Sequence, residues 1–123
     1  MKWLHLSTVA VALAAAGAAS AHPKLLSATP AANATVAAPA RIELHFSEKL
    51  LAPMTGAALA MPMGTGAATH VMEMASTTSV GADGKTIVVQ PKTPLTPGSY
   101  QLDWHAVSVD THRVSGTHKF TVR

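Results

Sequence analysis

The sequence predicts an all-β domain, either a two-sheet sandwich or a Greek-key barrel of about seven strands. Apolar and polar residues alternate at a period of two through most of the chain, as in half-buried strands. Segments such as GADGK and TPLTPGS, which are rich in turn-forming residues, separate these runs. No ten-residue stretch shows the 3.6-residue period of an amphipathic helix.

The individual strands follow from this alternation, which is clearest in residues 40–48 (ARIELHFSE) and 98–108 (GSYQLDWHAVS). In the first of these, Ile42, Leu44 and Phe46 share an apolar face, and the residues between them share a polar face. Flanking turn residues bound each run. In chain order, the strands are predicted at residues 24–28, 40–48, 56–61, 70–76, 85–91, 98–108 and 116–123.

The first 21 residues have the pattern of a secretory signal peptide. Lys2 provides the positive start, residues 9–16 an apolar run, and Ala19-Ser20-Ala21 the small-residue cleavage site. The run is shorter than the roughly 20 residues that span a bilayer. We therefore expect a mature domain of residues 22–123 that is exported to the periplasm and does not insert into the membrane.

Composition restricts the chemistry of the mature domain. The whole chain has a net charge of +3 and residues 22–123 one of +2, with histidines neutral, and no basic run with interleaved aromatic residues is present, which excludes nucleic-acid binding. Cysteine is absent, whereas the whole chain has seven histidines and six methionines, of which His5 and Met1 belong to the predicted signal peptide. Any chemistry with a soft metal therefore has to use thioethers and imidazoles.

Cleavage after Ala21 creates a histidine with a free α-amino group. The amine and the imidazole of His22 can close a chelate ring on one metal ion. Pro23 has no amide proton, so the next backbone nitrogen cannot become a ligand. Two positions of a square plane remain for other donors, and nitrogen and oxygen donors in such a plane suit Cu(II). The alternative is a histidine left at the new N-terminus by chance.

The segment SVDTHRVSG offers the remaining donors. Asp110 and His112 are two residues apart, so in an extended backbone their side chains leave on the same side, about 6–7 Å apart. With His22 they supply an amine, two imidazoles and a carboxylate. The alternative is a solvated turn that the aspartate stabilises.

These segments resemble the CopC family of periplasmic copper-binding, copper-resistance proteins. The similarity lies in HPKLLSATPA, RIELHFSE, PLTPGSYQLDWHAVSVDTH and SGTHKFTV, in this order. It implies an Ig-like or cupredoxin-like β-barrel and a Cu(II) site that uses the N-terminal histidine, an aspartate and a second histidine. By position these are His22, Asp110 and His112. The resemblance also implies an inner-membrane importer of the CopD type as partner.

A second candidate site lies in MPMGTGAATHVMEM. Its thioethers prefer Cu(I), and a hairpin at GTGAAT would bring the two halves together. Some proteins of the CopC family have a methionine-rich Cu(I) site in this region, and others lack one. The alternative is that the methionines fill the core. The candidate ligands are Met61, Met63, His70, Met72 and Met74.

The predicted function is a non-enzymatic copper carrier or buffer. Four protein donors in one plane leave no open equatorial position, whereas catalytic metal sites keep one. One alternative is a copper-dependent monooxygenase that uses an N-terminal histidine chelate. Another is an Ig-like interaction module with incidental histidines. Sustained oxidant production by the copper protein with ascorbate would indicate the enzyme. Failure to bind Cu(II) above micromolar affinity would indicate the interaction module.

Overall fold

The computed structural model describes residues 22–64 and 70–123; the predicted signal peptide, residues 1–21, lies outside the described residues. This part of the chain forms nine strands and a 3-10 turn at Ala52–Met54. No helix in it is long and apolar enough to cross a bilayer. The strands are β1 (Leu25–Thr29), β2 (Thr35–Val36), β3 (Ile42–Phe46), β4 (Gly56–Met63), β5 (His70–Glu73), β6 (Ser76–Val80), β7 (Thr86–Pro91), β8 (Gly98–Val107) and β9 (Arg113–Val122).

The strands form two sheets, which confirms the predicted all-β class. One sheet has the order β1-β3-β7-β6, and the other has the order β2-β9-β8-β4-β5. The short β2 runs parallel to β9, and the other pairs of named strands are antiparallel. The longest pairing joins β8 to β9 and leads directly into the 108–112 loop.

The core lies between the sheets, as the alternation in β3 and β8 predicts. Ile42 and Leu44 of β3 are fully buried, and Tyr100 and Leu102 of β8 face them from the other sheet. Burying a large apolar side chain stabilises the fold by about 1.5–3 kcal/mol. Because the chain has no cysteines, packing and hydrogen bonds rather than disulfides hold the two sheets together.

The strand predicted over residues 70–76 corresponds to β5 and to the first residue of β6, and the rest of β6, which lies in the other sheet, was not predicted. β5 pairs with β4 in the five-stranded sheet, and β6 pairs with β7 in the four-stranded sheet. The change occurs where the Met74 amide donates to the Leu59 carbonyl and the Ala75 carbonyl accepts from Lys92. Period-two alternation reports burial but not the pairing partner, so it cannot reveal such a switch.

Candidate metal centre

His22 is held in place by the residues that follow it. Pro23 is buried, while His22 itself is exposed. The Lys24 amide donates to Ser47 Oγ at 2.9 Å, and the Lys24 carbonyl accepts from the Ser47 amide at 2.9 Å. This two-way contact fixes the backbone two residues after His22, so His22 stays close to Ser47.

Asp110 and His112 lie in the tight loop between β8 and β9. The Ser108 amide donates to the His112 carbonyl at 2.9 Å, and the Thr111 amide donates to the Ser108 carbonyl at 2.8 Å. Thr111 has a φ of 74°, in the left-handed region. A turn followed by a left-handed residue is a common three-residue connection between antiparallel strands. The loop therefore presents Asp110 and His112 at one end of the barrel.

The 47–50 segment connects these two parts of the molecule. Ser47 contacts the backbone of Lys24 near the start of the mature chain. Two residues later, the Lys49 carbonyl accepts from the Val109 amide at 3.1 Å, and Leu50 forms a bridge with Ser108. One short segment thus holds residues 22–24 beside a loop that lies more than 80 positions later in the sequence.

The three predicted ligands come together at this point. The imidazole rings of His22 and His112 have centroids 4.4 Å apart, with their planes inclined by 45°. His112 Nδ1 lies 3.0 Å from Asp110 Oδ2. The side chains of His112 and Asp110 are 49% and 36% exposed, so an ion can approach from solvent.

Hydrogen bonds keep Asp110 ionised. The Ser108 hydroxyl donates to Asp110 Oδ1, and this bond, together with the contact to His112, lowers the pKa of the Asp110 carboxyl against the opposing effect of desolvation. An ionised carboxylate can only accept, so His112 Nδ1 carries the proton that it shares with Asp110. A metal that binds at Nδ1 has to displace this proton.

The separation between the His112 and Asp110 donors is compatible with neighbouring positions of a square-planar cation, once the proton between them is displaced. Metal–ligand bonds of about 2.1 Å at right angles place neighbouring donors about 3.0 Å apart, which is the distance between His112 Nδ1 and Asp110 Oδ2. Within residues 22–64 and 70–123, however, no three His, Asp or Glu side chains are already arranged as a complete site. Completing one requires the α-amine of His22 as a further donor.

The predicted methionine hairpin is formed by β4 and β5, and its tip, residues 65–69, lies outside the described residues. Met61 is directly opposite Met72, and Met63 is directly opposite His70. Opposed side chains of an antiparallel pair share a face, with Cβ atoms about 4.5–5.5 Å apart. Met63 and Met72 are 38% and 45% exposed. Two thioethers and an imidazole are therefore grouped on an accessible edge of the sheet.

Two of the five candidate residues at this second site pack against the core. Met61 and Met74 are half-buried against the central cluster. The Met61 methyl group covers Gly98 so closely that a Cβ at that position would lie 3.2 Å from it. Met61 and Met74 therefore fill space beside the core, which was the alternative to a role as copper ligands. A copper-binding role for the group remains a prediction.

Three further histidines have structural partners of their own. His45 Nδ1 lies 3.0 Å from Thr86 Oγ1, and the His105 ring packs over Gly56. His118 is buried and donates from Nε2 to the Pro30 carbonyl at 2.8 Å. Ser108, which the sequence analysis did not single out, contacts Asp110 directly. A serine two residues before an aspartate is too common a pattern to have identified it.

Comparison with known proteins agrees with the fold and with the kind of metal. A family model described as the CopC domain matches residues 25–123. A curated protein from Pseudomonas syringae pv. tomato, Copper resistance protein C, is 49% identical over 105 residues, which cover 85% of this chain and 83% of that protein. Copper resistance protein C from Xanthomonas campestris pv. juglandis is 47% identical over 94% of this chain and 90% of its own length.

Solved structures give the same picture. The crystal structure of PcoC, described as a methionine-rich copper resistance protein from Escherichia coli, aligns with a TM-score of 0.75 and 44% identity. The alignment covers 84% of this chain and all of that one. CopC from Methylosinus trichosporium OB3b aligns with a TM-score of 0.68 and 26% identity, over 82% of this chain and 93% of that one.

Proposed function

Since this chain belongs to the CopC family of copper-resistance proteins, we propose that it is a periplasmic copper carrier or buffer with a Cu(II) site at its processed N-terminus. The observation that supports the site most strongly is the 4.4 Å separation between the rings of His22 and His112. These residues come from opposite ends of the mature chain, and packing of the core alone does not require two exposed imidazoles to meet.

In the proposed site, the α-amine and imidazole of His22 chelate one edge of the Cu(II) plane. His112 supplies the third nitrogen, and Asp110 supplies an oxygen. Ionised Asp110 partly neutralises the charge of the ion without any change in its own protonation. Three nitrogens and one oxygen in a plane form a donor set that favours Cu(II) over the other common divalent ions.

CopC proteins bind copper for resistance and are not enzymes. We therefore reject the monooxygenase alternative and propose that the protein carries or buffers copper. The partial exposure of Asp110 and His112 is consistent with a protein that gives up its ion to another molecule. We propose an inner-membrane importer of the CopD type as the receiver.

Export to the periplasm is part of the same proposal, because the Cu(II) site needs the amine that signal cleavage exposes. Residues 1–21 have the charged start, apolar run and small-residue cleavage site of a signal peptide. In the uncleaved chain, the His22 nitrogen is an amide and cannot serve as the same donor.

Titration of the processed protein with Cu(II) tests this function. We expect the absorption of the copper complex to rise linearly and to stop at one equivalent, with a dissociation constant well below micromolar, because four protein donors surround one ion. Binding weaker than micromolar would contradict the proposal and would favour an interaction module with incidental histidines.

We propose in addition that the β4–β5 hairpin binds Cu(I) through the exposed thioethers of Met63 and Met72 with His70. Replacing Met63 or Met72 by leucine keeps the apolar volume and removes the sulfur, so we expect Cu(I) affinity to fall on the order of tenfold or more for each substitution. A competition titration with a chromogenic Cu(I) chelator measures this.

Met54→Leu is the matched control for the Cu(I) site, because Met54 is 54% exposed but lies in the 3-10 turn, outside the hairpin. Its Cu(I) affinity should equal that of the natural sequence. Equal Cu(I) affinities for all three leucine variants and the natural protein would show that the hairpin does not bind the ion through these sulfurs.

A further inference from the structure

Ser108 is a buried polar residue at the base of the loop that presents Asp110 and His112. Only 1% of it is exposed. Its hydroxyl donates to Asp110 Oδ1 and also lies 3.4 Å from the His112 carbonyl. A buried hydroxyl in this place therefore contacts both residues that the Cu(II) proposal assigns to the loop.

The backbone of Ser108 closes the same loop. Its amide donates to the His112 carbonyl at 2.9 Å, and its carbonyl accepts from the Thr111 amide at 2.8 Å. Leu50 pairs with Ser108 from the opposite side and anchors it to the 47–50 segment. Ser108 is consequently fixed before any metal binds. Its hydroxyl, which donates to Asp110, therefore restricts the orientation of the Asp110 carboxylate.

We infer that Ser108 is the positioning residue of the copper site. Its hydroxyl occupies Asp110 Oδ1 and leaves Oδ2 directed at His112, so Asp110 offers the ion one oxygen rather than two. A carboxylate held in this way suits the single oxygen position of a square plane, whereas a free carboxylate can rotate or bind through both oxygens. This inference rests on the proposed Cu(II) function.

The expected effect follows from the usual importance of residues that orient metal ligands. Changing such a residue typically lowers metal affinity about 10–100-fold although no ligand is lost. For Ser108→Ala we expect the dissociation constant for Cu(II) to rise about tenfold. The electron paramagnetic resonance (EPR) spectrum should also change, because the freed carboxylate alters the oxygen donor to the ion.

A stability measurement and a control variant separate positioning from stability. Thermal unfolding of the metal-free proteins gives a temperature at which Ser108→Ala is folded, and copper binding is compared at that temperature. Thr55→Val is the matched control. It removes a hydroxyl that accepts from the Val107 amide at 3.2 Å, next to Ser108, but has no contact with Asp110.

The experiment compares Cu(II) affinity and EPR spectra of these processed proteins. We expect folded Ser108→Ala to weaken binding and shift the spectrum, whereas Thr55→Val keeps the natural affinity and spectrum. If the natural protein binds Cu(II) tightly and Ser108→Ala has the same affinity and spectrum, the role of Ser108 is wrong and the copper site stands. If the natural protein itself does not bind Cu(II), both proposals fail.

Discussion

Mature protein with one alanine added before His22 is expected to bind Cu(II) at least about a hundredfold more weakly than protein that begins at His22. The added residue turns the α-amine of His22 into an amide nitrogen, which breaks the chelate ring between amine and imidazole. Pro23 cannot replace the lost nitrogen, because it has no amide proton. Competition with a Cu(II) chelator of known affinity measures the change.

The fold should be unaffected by this extension, since His22 is exposed and the backbone near it is anchored at Lys24. Equal melting temperatures of the extended and natural proteins are the control. Removal of the added alanine by an aminopeptidase should restore tight binding. If the extended protein binds Cu(II) as tightly as protein that begins at His22, the α-amine of His22 is not a ligand.

His112→Ala is expected to reduce Cu(II) affinity on the order of a hundredfold or more, because it removes one nitrogen of the plane and also the partner that Asp110 faces at 3.0 Å. The cost in stability should be small, since the His112 side chain is 49% exposed and lies outside the core. Calorimetric titration with Cu(II) and thermal unfolding of the metal-free protein measure the two effects.

His45→Ala is the control for this substitution. The His45 side chain is 37% exposed, and His45 has its own partner in Thr86, on the neighbouring strand of the four-stranded sheet. We expect its Cu(II) affinity to equal that of the natural protein. A similar loss of affinity in both variants would mean that the histidines contribute to binding nonspecifically, through charge or stability.

The fold class was predictable from the sequence because burial imposes a local pattern. The apolar residues of β3 and β8 alternate with polar ones, and both strands lie where the alternation indicates them. The two-residue β2 is too short to show a period. The switch between β5 and β6 depends on pairing partners distant in sequence, so no local pattern encodes it.

The proximity of His22 to His112 was predictable only by chemistry and by family resemblance. A terminal amine and imidazole need further donors, and Asp110 with His112 offers them at a suitable spacing. The contacts of Lys24 with Ser47 and of Val109 with Lys49 hold the two parts together, and apart from the Ser47 hydroxyl they are made by backbone groups. Any residue except proline can make a backbone bond of this kind, so the side chains give no sign of it.

The left-handed conformation of Thr111 could not be expected from its identity. Residues with a branched Cβ rarely adopt a positive φ, and the segment SVDTH contains no glycine that would mark the position. The loop hydrogen bonds from Ser108 and to its carbonyl impose the conformation on the threonine. The role of Ser108 follows from the same contacts and is visible only in three dimensions.

Pulsed EPR of the processed protein, loaded with one equivalent of Cu(II) and labelled with ¹⁵N in histidine only, measures the donor set directly. We predict a single species with couplings from the terminal amine and from two imidazoles, all of them altered by the label because His22 supplies its own amine. Coupling to one imidazole only, or a mixture of species with oxygen donors, would mean that the first and the late histidine do not hold the same ion.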